Sequence, residues 1–312
     1  MRRKLLAKKT LQLIVSVFLF TMLLYGLLIL STGDPALRVL RKFGIQTVSA
    51  NNLSEIREKL GIKEDFFQSY FYWFFQVLRG NFGTSFMTDQ SVRQLLVEKS
   101  MVTIRLISLT FFISCPFSLL LGSWIGNKPF LRGINQLLAI ILSFPVYWLS
   151  IVAIFYFGVQ LQWLPFVGSS HIKNYLLPIF VMCVSESAYL TKMVSELVMP
   201  IATSERQQIA RFRGIKKSYR FYYQLNELAT PLISLYGNSL LHLFGGSVMI
   251  EITFSMSGLG KLLMEAIASR DYPVIQGVTL VVAICTFVLS YVIDLMIQCI
   301  DSRILIDQEG IP

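Results

Sequence analysis

Four ionisable side chains stand inside otherwise apolar stretches of the chain: Glu186, His242, Glu251 and Asp294. An acid and an imidazole could transfer protons or bind a metal ion, but catalysis needs a nucleophile, a base or a metal set that converges at one point. The only other histidine, His171, lies in a different segment, and a metal site usually needs several ligands. We therefore expect structural, interfacial or substrate-contacting roles for these groups, with no catalytic residue and no metal site.

One glycine-rich stretch superficially resembles a phosphate-binding loop. Gly258-Leu259-Gly260-Lys261 lacks the first glycine at the required spacing, and no Ser or Thr follows the lysine. We therefore expect the chain to hold no nucleotide and no other cofactor of its own.

The composition indicates the kind of scaffold that must position these residues. Of the 312 residues, 54% are hydrophobic and 15% are charged, whereas a soluble domain has about 25% charged residues. The net charge of +10 could suggest a nucleic-acid ligand, but the 28 Lys and Arg neither follow one face nor alternate with stacking aromatic residues. The sequence therefore predicts a membrane protein with no nucleic-acid partner.

Four charge-free runs each reach the roughly 17 to 25 residues that cross a bilayer. Two further runs are weaker, because one is short and contains Glu186 and the other contains His242 and Glu251. We predict an all-α membrane protein with six transmembrane helices, at Leu11–Leu30, Leu106–Ile125, Ile134–Gly158, Tyr175–Leu190, Leu232–Phe254 and Val274–Ile293.

The distribution of positive charge predicts that both ends lie in the cytoplasm. The first apolar run is too long for a signal peptide and lacks a small-residue cleavage site, so it is expected to remain as the first span. The tail before it carries five Lys and Arg, and Thr191–Pro231 carries seven, whereas Val159–Asn174 carries one and Ser255–Pro273 two. Positive residues collect on the cytoplasmic side, which gives an N-in, C-in topology in the lipid bilayer.

The spans divide the chain into three parts. Residues 1–30 form a basic tail and the first span, residues 31–105 an extracytoplasmic region, and residues 106–312 a core of five spans. In the extracytoplasmic region we predict helices at Ser54–Leu60 and Phe66–Leu78. The second helix carries an aromatic stripe that can lie at the membrane interface or pack on the outer ends of the spans: Phe67, Tyr70, Phe71, Phe74 and Phe75.

The cytoplasmic segment at about 191–231 is longer than a helical hairpin needs. Pro200 is predicted to stop the preceding helix, and Ser204 with Gln207 fits a capping box. A helix at Glu205–Arg213 would end at Gly214 in a left-handed cap, and a second helix would follow at Lys217–Leu228. A solvated basic loop that touches anionic lipid is the alternative interpretation.

Several motifs in this order resemble the dipeptide, oligopeptide and nickel permease family of ATP-binding-cassette (ABC) importers, B-type subunit. Residues 208–214 and 228–231 resemble the family's "EAA" loop, although Gln208 stands for its Glu and Ile209 for its first Ala. Further matches, which with this loop span nearly the whole chain, are Gly33-Asp34-Pro35, Gly80-Asn81-Phe82-Gly83-Thr84-Ser85, Ser143-Phe144-Pro145-Val146-Tyr147-Trp148, Glu251 with Phe254, Gly258-Leu259-Gly260, Arg270-Asp271-Tyr272-Pro273-Val274-Ile275-Gln276-Gly277 and Asp301-Ser302-Arg303-Ile304. Ser257 and Ser302 depart from the prolines of the pattern.

The resemblance implies a type I importer permease that forms half of a translocation pathway for peptides, nickel or a chelated metal. It further implies a second permease subunit, two cytoplasmic ATPases that bind ATP and Mg²⁺, and an extracytoplasmic substrate-binding protein. The chain itself would be a non-catalytic subunit in a bacterial cell membrane. A stand-alone secondary transporter is the runner-up, although the internal repeat typical of that class is not apparent.

Two groups of site residues follow from this resemblance. The ATPase-coupling residues are Glu205, Gln208, Ala210, Arg211, Arg213, Gly214, Lys216 and Lys217. The residues of the outer gate, or of a loop that faces the binding protein, are Glu251, Gly258, Gly260, Arg270, Asp271, Tyr272 and Pro273. Because its glycine-rich backbone needs protein or water to satisfy its amides, we predict that 258–273 is a partly re-entrant, irregular loop. Small residues in the fifth predicted span, at Gly237, Gly245, Gly246 and Ser247, can approach a partner permease or a pore closely.

The predicted topology is testable by cysteine labelling. A cysteine at Lys216 should react with a membrane-impermeant maleimide only after the cytoplasmic side is opened, and a cysteine at Asn51 should react in intact cells. The native cysteines would first be replaced by alanine. Reversed labelling would overturn the six-span arrangement.

Overall fold

The computed structural model describes residues 2–30 and 65–300. The predicted helix at Ser54–Leu60 and the closing Asp301–Ile304 motif lie outside these residues. The chain divides into two compact units, of which the first comprises Met1–Ser100 and Leu262–Val288 and the second Met101–Lys261 and Leu289–Pro312. Each unit is described by itself below.

The described residues are folded almost entirely into helices. We number the α-helices α1 to α11 in chain order: Arg2–Leu30, Phe66–Leu78, Val92–Gly126, Arg132–Leu142, Val146–Ala153, Leu176–Ala202, Glu205–Phe212, Lys217–Glu227, Ala229–Thr253, Leu259–Ser269 and Tyr272–Ile300. A π-helical segment, Ile154–Gln160, continues α5. The expectation of an all-helical fold is therefore confirmed for this part of the chain.

Four helical segments are long and apolar enough to cross a membrane in the described residues: Ala7–Leu27, Val92–Gly126, Ile172–Ala202 and Tyr272–Ile300. A bent pair, Gly133–Leu142 with Val146–Gln160, makes a fifth if it counts as one span. The fifth predicted span, Leu232–Phe254, is helical as α9 but is not among the segments that meet this criterion. The count of six is thus not confirmed by length and composition alone.

The predicted third span is not a continuous helix. Its two halves meet at Phe144 and are bent by 85° relative to each other. Pro145 has no backbone N–H to continue the helix of α4 and takes an extended conformation (φ −61°, ψ 142°) at the start of α5. The Phe144 and Trp148 rings stack across the break with centroids 4.7 Å apart. The motif that begins at Ser143 therefore marks a corner within the predicted span Ile134–Gly158, which is built from two helical halves and not from one continuous helix.

In the first unit, the predicted helix Phe66–Leu78 is confirmed as α2, and its aromatic stripe divides between two environments. Tyr70 is buried against α1, where its hydroxyl lies 2.9 Å from Thr21 Oγ1 and its ring packs edge-on against Phe18. Phe67, Phe71 and Phe75 stay exposed, on the side away from that contact. One side of α2 is therefore held by α1, and the other presents aromatic rings that are exposed among the described residues.

In the second unit, two glycines bring α3 and α6 into close contact. A Cβ placed on Gly122 would lie 2.7 Å from Val194 Cβ, and one placed on Gly126 would lie 2.8 Å from the Ser195 carbonyl oxygen. Small residues four positions apart let two helix backbones approach in lipid, where apolar burial supplies little driving force. Beside this contact, Asn135 of α4 donates a hydrogen bond to Ser195 Oγ (3.1 Å). This packing places the end of α3 beside the helix that leads into the segment at about 191–231.

Two further boundaries differ from prediction. Helix α6 continues through Pro200 to Ala202, because a proline in the last turn removes only one backbone hydrogen bond. The segment predicted to be an irregular loop is instead mostly helix α10, with non-helical residues only at its two ends. Ser255 before α10 and Arg270 after it both have positive φ, so the chain turns sharply at each end.

Candidate functional site

The segment predicted to be cytoplasmic folds as α7, a left-handed turn and α8. Gly214 has φ +69°, which confirms the predicted left-handed cap. The Gly214 N–H donates to the Arg211 carbonyl (3.0 Å) and the Ile215 N–H to the Ala210 carbonyl (3.1 Å). This is the Schellman pattern, which satisfies the last carbonyls of a helix and favours glycine at the left-handed position. The turn between α7 and α8 is therefore fixed by backbone hydrogen bonds.

The start of α7 differs from the predicted capping box. Ser204 is the N-cap residue, but its hydroxyl donates to the Ile201 carbonyl (2.7 Å) in the preceding turn and does not accept a hydrogen bond from the first-turn N–H groups of α7. The Gln208 amide donates to the Thr203 carbonyl (3.2 Å), and Gln207 is buried. The entry to α7 is thus tied back to the end of α6 by side chains, so α7 is anchored at both ends.

The surface of this segment is cationic and contains one very exposed aromatic ring. Of the predicted coupling residues only Ala210 is buried, and the exposed ones are Glu205, Gln208, Arg211, Arg213, Gly214, Lys216 and Lys217. Phe212, between two arginines, is 89% exposed. Sequence reasoning treated Phe212 only as part of a motif, although an aromatic residue flanked by charges on a short surface helix is a usable signal for a partner contact. Exposed tyrosines on α8 extend this surface: Tyr219, Tyr222 and Tyr223.

Helix α8 is joined to the end of a membrane span by a pair of amides. Gln224 donates from Nε2 to Asn127 Oδ1 (2.9 Å), and Asn127 donates from Nδ2 to Gln224 Oε1 (3.1 Å). Asn127 also donates to the carbonyl of Ser123 in α3 (2.9 Å). The reciprocal bonds fix α8 to the end of α3, and neither residue was singled out from the sequence.

The second predicted group centres on the Glu251 carboxylate, which is fully buried. Thr103 of α3 donates its hydroxyl to Oε1 (2.6 Å), and the Lys261 N–H donates to Oε2 (3.0 Å). The same Thr103 hydroxyl accepts from the Leu259 N–H (2.9 Å). A carboxylate and a hydroxyl thus satisfy N–H groups in the first turn of α10, where the helix dipole favours negative charge. Glu251 therefore joins α3, α9 and α10.

The two glycines of this group make that cap possible. A Cβ on Gly258 would overlap the Glu251 carboxylate, and a Cβ on Gly260 would lie 2.7 Å from Val248 Cα. Neither glycine has positive φ, so the requirement is space and not backbone conformation. The close approach of α10 to α9 explains the two glycines of the Gly-Leu-Gly motif.

In the first unit, Asp271 fixes the turn that follows the Gly80–Thr84 motif. Its buried carboxylate accepts from Ser85 Oγ (2.5 Å), from the Phe86 N–H (3.1 Å) and from the Met87 N–H (3.4 Å). The Ser85 hydroxyl in turn accepts from the Thr88 N–H (3.0 Å). Ser85 and Asp271, which are 186 residues apart in sequence, therefore join their two motifs in one hydrogen-bonded cluster.

The seven predicted outer residues do not form a single exposed site. Glu251, Gly258 and Gly260 are buried in the second unit, and Asp271 and Tyr272 are buried in the first. Pro273 is half-buried, and Arg270 is exposed with φ +57°. Arg270 alone presents its side chain on the surface, so it is the one member of the group available for a direct contact.

The remaining ionisable groups of the apolar stretches are Glu186, His242 and Asp294, and they lie on three different helices. Glu186 of α6 lies 3.4 Å from His242 of α9, and Asp294 lies half-buried near the end of α11. Across residues 2–30 and 65–300, no group of three or more His, Cys, Asp and Glu residues could hold a metal ion.

Comparison with known proteins identifies a family and several relatives that this chain resembles. Residues 118–306 match the family described as binding-protein-dependent transport system inner membrane component. The chain is 29% identical over 314 residues to a probable peptide ABC transporter permease protein, y4tP, of Sinorhizobium fredii, and the alignment covers 97% of each chain. It is 28% identical over 300 residues to the nickel import system permease protein NikB of Staphylococcus aureus, with 95% of this chain and 90% of the relative covered.

The cap around Glu251 generates a stability prediction. Gly258→Ala should displace the Glu251 carboxylate and lower the thermal midpoint of the detergent-solubilised protein, because overpacking a buried site costs on the order of 1 to 3 kcal/mol. Size-exclusion chromatography after heating measures the midpoint. Gly245→Ala is the matched control, since a Cβ there meets nothing within 4 Å. Equal midpoints for the two variants would contradict the packing described here.

Proposed function

Because the chain belongs to the family of binding-protein-dependent transport system inner membrane components, we propose that it pairs with a second, different permease subunit to form one half of a translocation pathway. The chain is a non-catalytic, multi-pass membrane subunit of an ABC importer, located in the cell membrane, that works with other importer components such as ATPases and a substrate-binding protein. The runner-up, a stand-alone secondary transporter, has no support among the relatives.

The observation that carries the coupling proposal is the exposed surface of α7 and α8. The ring of Phe212 is 89% exposed among arginines and lysines, and exposing a large apolar side chain to water is unfavourable. This surface is therefore suited to a protein contact. In interfaces, an aromatic residue at the centre supplies most of the affinity, while charges at the rim set orientation and association rate. We assign Phe212 the central contact with an ATPase, and Arg211, Arg213, Lys216 and Lys217 the rim.

The fixed geometry of the segment supports its use as a lever. Helix α7 is tied to the end of α6, Gly214 fixes the turn, and the Asn127–Gln224 pair joins α8 to α3. Movement of a bound ATPase would therefore reach two spans through packed elements and not through a flexible loop. ATP and Mg²⁺ would be bound by two such ATPase subunits, and this chain would contribute only the contact surface.

The six-span, N-in and C-in topology remains our proposal for the membrane arrangement. Helix α9 has 25 residues and is therefore about 37 Å long, enough to cross a hydrocarbon core of about 30 Å. The polar side chains that lower its apolar character are mostly satisfied internally, since Glu251 and Ser239 each hydrogen-bond to another helix. Counting α9 as one span and the bent α4–α5 pair as another gives six.

The names of the relatives suggest two cargo classes. One relative is named as a peptide permease and the other as a nickel import permease. We propose that this importer carries peptides, nickel or a chelated metal. On the outer side, we propose that the exposed Arg270 contacts the substrate-binding protein, while the neighbouring Asp271, which is buried, fixes the turn at 85–88.

Co-purification tests the assignment of partners. The tagged chain, extracted in mild detergent from its native membrane, should bring down a second permease and two ATPases identified by mass spectrometry, and the eluate should hydrolyse ATP. Recovery of the chain alone, active in proteoliposomes without ATP, would overturn the importer assignment.

The left-handed turn gives a sharper test of the coupling segment. Gly214→Val forces a β-branched residue to positive φ, which costs on the order of 1 to 2 kcal/mol or more. A Cβ at this position meets nothing within 4 Å, so the effect would come from backbone conformation alone. We expect at least about tenfold less uptake and weaker ATPase recovery, with membrane insertion unchanged.

Gly214→Asn is the matched variant for that test, because asparagine tolerates the left-handed region. It should retain most of the uptake that Gly214→Val loses. If the valine variant couples as well as the wild type, the coupling role of the turn is wrong.

A further inference from the structure

A buried carboxylate and an exposed imidazole form a pair between α6 and α9. The Glu186 side chain is 4% exposed. Its Oε1 atom accepts a hydrogen bond from Ser239 Oγ (2.5 Å), and its Oε2 atom lies 3.4 Å from His242 Nδ1. The His242 side chain is 70% exposed. Both carboxylate oxygens are therefore engaged, and the imidazole is held at one nitrogen and open at the other.

The pair gives His242 a direct electrostatic partner. Among the described residues, His242 is the one cationic group in contact with Glu186, and a buried charge without a partner is strongly disfavoured. A protonated His242 complements the Glu186 carboxylate, and both of its ring nitrogens then carry hydrogen. In that state the outward nitrogen, Nε2, is an N–H donor.

His242 lies on a face of α9 that is exposed among the described residues. Exposed residues recur along this helix at 238, 242, 245 and 249, which places Asn238, His242, Gly245 and Met249 on one side. A Cβ on Gly245 or Gly246 would meet nothing within 4 Å, whereas one on Gly237 would lie 2.6 Å from Ile293 Cδ1. Gly237 is thus used for packing inside the chain, while the two later glycines leave open space one turn from the imidazole. Polar side chains within a span avoid lipid and face protein or a water-filled cavity.

We propose that the Nε2–H of His242 is a cargo-binding point in the translocation pathway and that it accepts a carboxylate group of the cargo. This inference rests on the proposed function and narrows its substrate class. A carboxylate is shared by peptides with a free C-terminus and by carboxylate chelates of nickel, and a bare nickel ion offers no acceptor to an N–H donor. Glu186 is a positioning residue, because it orients the ring and fixes which nitrogen faces the pathway.

Transport by the complete importer, reconstituted with its ATPases and loaded binding protein, tests the proposal. The probes are trialanine, trialanine with an amidated C-terminus, nickel citrate and Ni²⁺ alone. For whichever carboxylate probe the wild type carries, His242→Phe should lower the uptake rate about tenfold, since it removes one charge-assisted hydrogen bond. His242→Gln keeps an N–H donor and should recover a large part of the rate. Met249→Leu, on the same face, should transport at the wild-type rate.

The remaining outcomes separate this proposal from the importer assignment. Wild-type uptake by His242→Phe, or an equal loss for the amidated peptide, would overturn the carboxylate site. Loss of the second permease from purified His242→Phe would mean that this face is a subunit interface. Transport of Ni²⁺ alone would mean that His242 is a metal ligand. Either result would overturn the proposal and leave the importer assignment standing. A wild-type complex that assembles but carries none of the four probes overturns the proposed cargo classes and the His242 site together. A chain recovered without ATPases overturns the proposed function itself.

Discussion

The buried carboxylate of Glu251 is the interaction on which the arrangement of the second unit depends. Within a span, a carboxylate must find hydrogen-bond donors in the protein, because lipid offers none. Glu251 finds them in the Thr103 hydroxyl and in the first turn of α10. The start of α10, its two glycines and the placement of Thr103 on α3 all follow from that requirement. One side chain thus determines where three helices meet.

The first unit uses the same solution with Asp271. Its carboxylate collects a hydroxyl and two backbone N–H groups from the turn at 85–88. In both units an acid that looks like a candidate for chemistry or recognition is in fact occupied by backbone. Burial with complete hydrogen bonding makes such groups structural, and it leaves recognition to residues with unused polar atoms, such as His242 and Arg270.

Much of the fold follows from the sequence because hydropathy and helix-end signals act locally. Most of the apolar spans, the bounds of α2 and the cap at Gly214 are of this kind. Pro145 and Pro200 have opposite outcomes. Pro145 takes an extended conformation between two helices, whereas Pro200 lies in the last turn of α6, where a proline removes only one backbone hydrogen bond. The sequence predicts an irregular loop at 258–273 because glycine-rich backbone leaves amides to satisfy, whereas Gly258 and Gly260 serve the close approach of α10 to α9. Only part of the candidate site could be predicted from the sequence, for a related reason. The residue types identify Gly214 and the charged residues. The exposure of Phe212 and the pairing of Asn127 with Gln224 depend on packing between distant segments.

The amide pair between Asn127 and Gln224 has a consequence for how the protein responds to its surroundings. Neither amide titrates near neutral pH or carries a net charge, so the joint between α8 and its span is insensitive to pH and is little affected by salt. The cationic rim of α7, in contrast, is exposed and is screened within about 10 Å at 0.1 M ionic strength. Under the proposed function, ionic conditions around this surface would therefore tune how tightly the subunit holds an ATPase without loosening its own internal linkage.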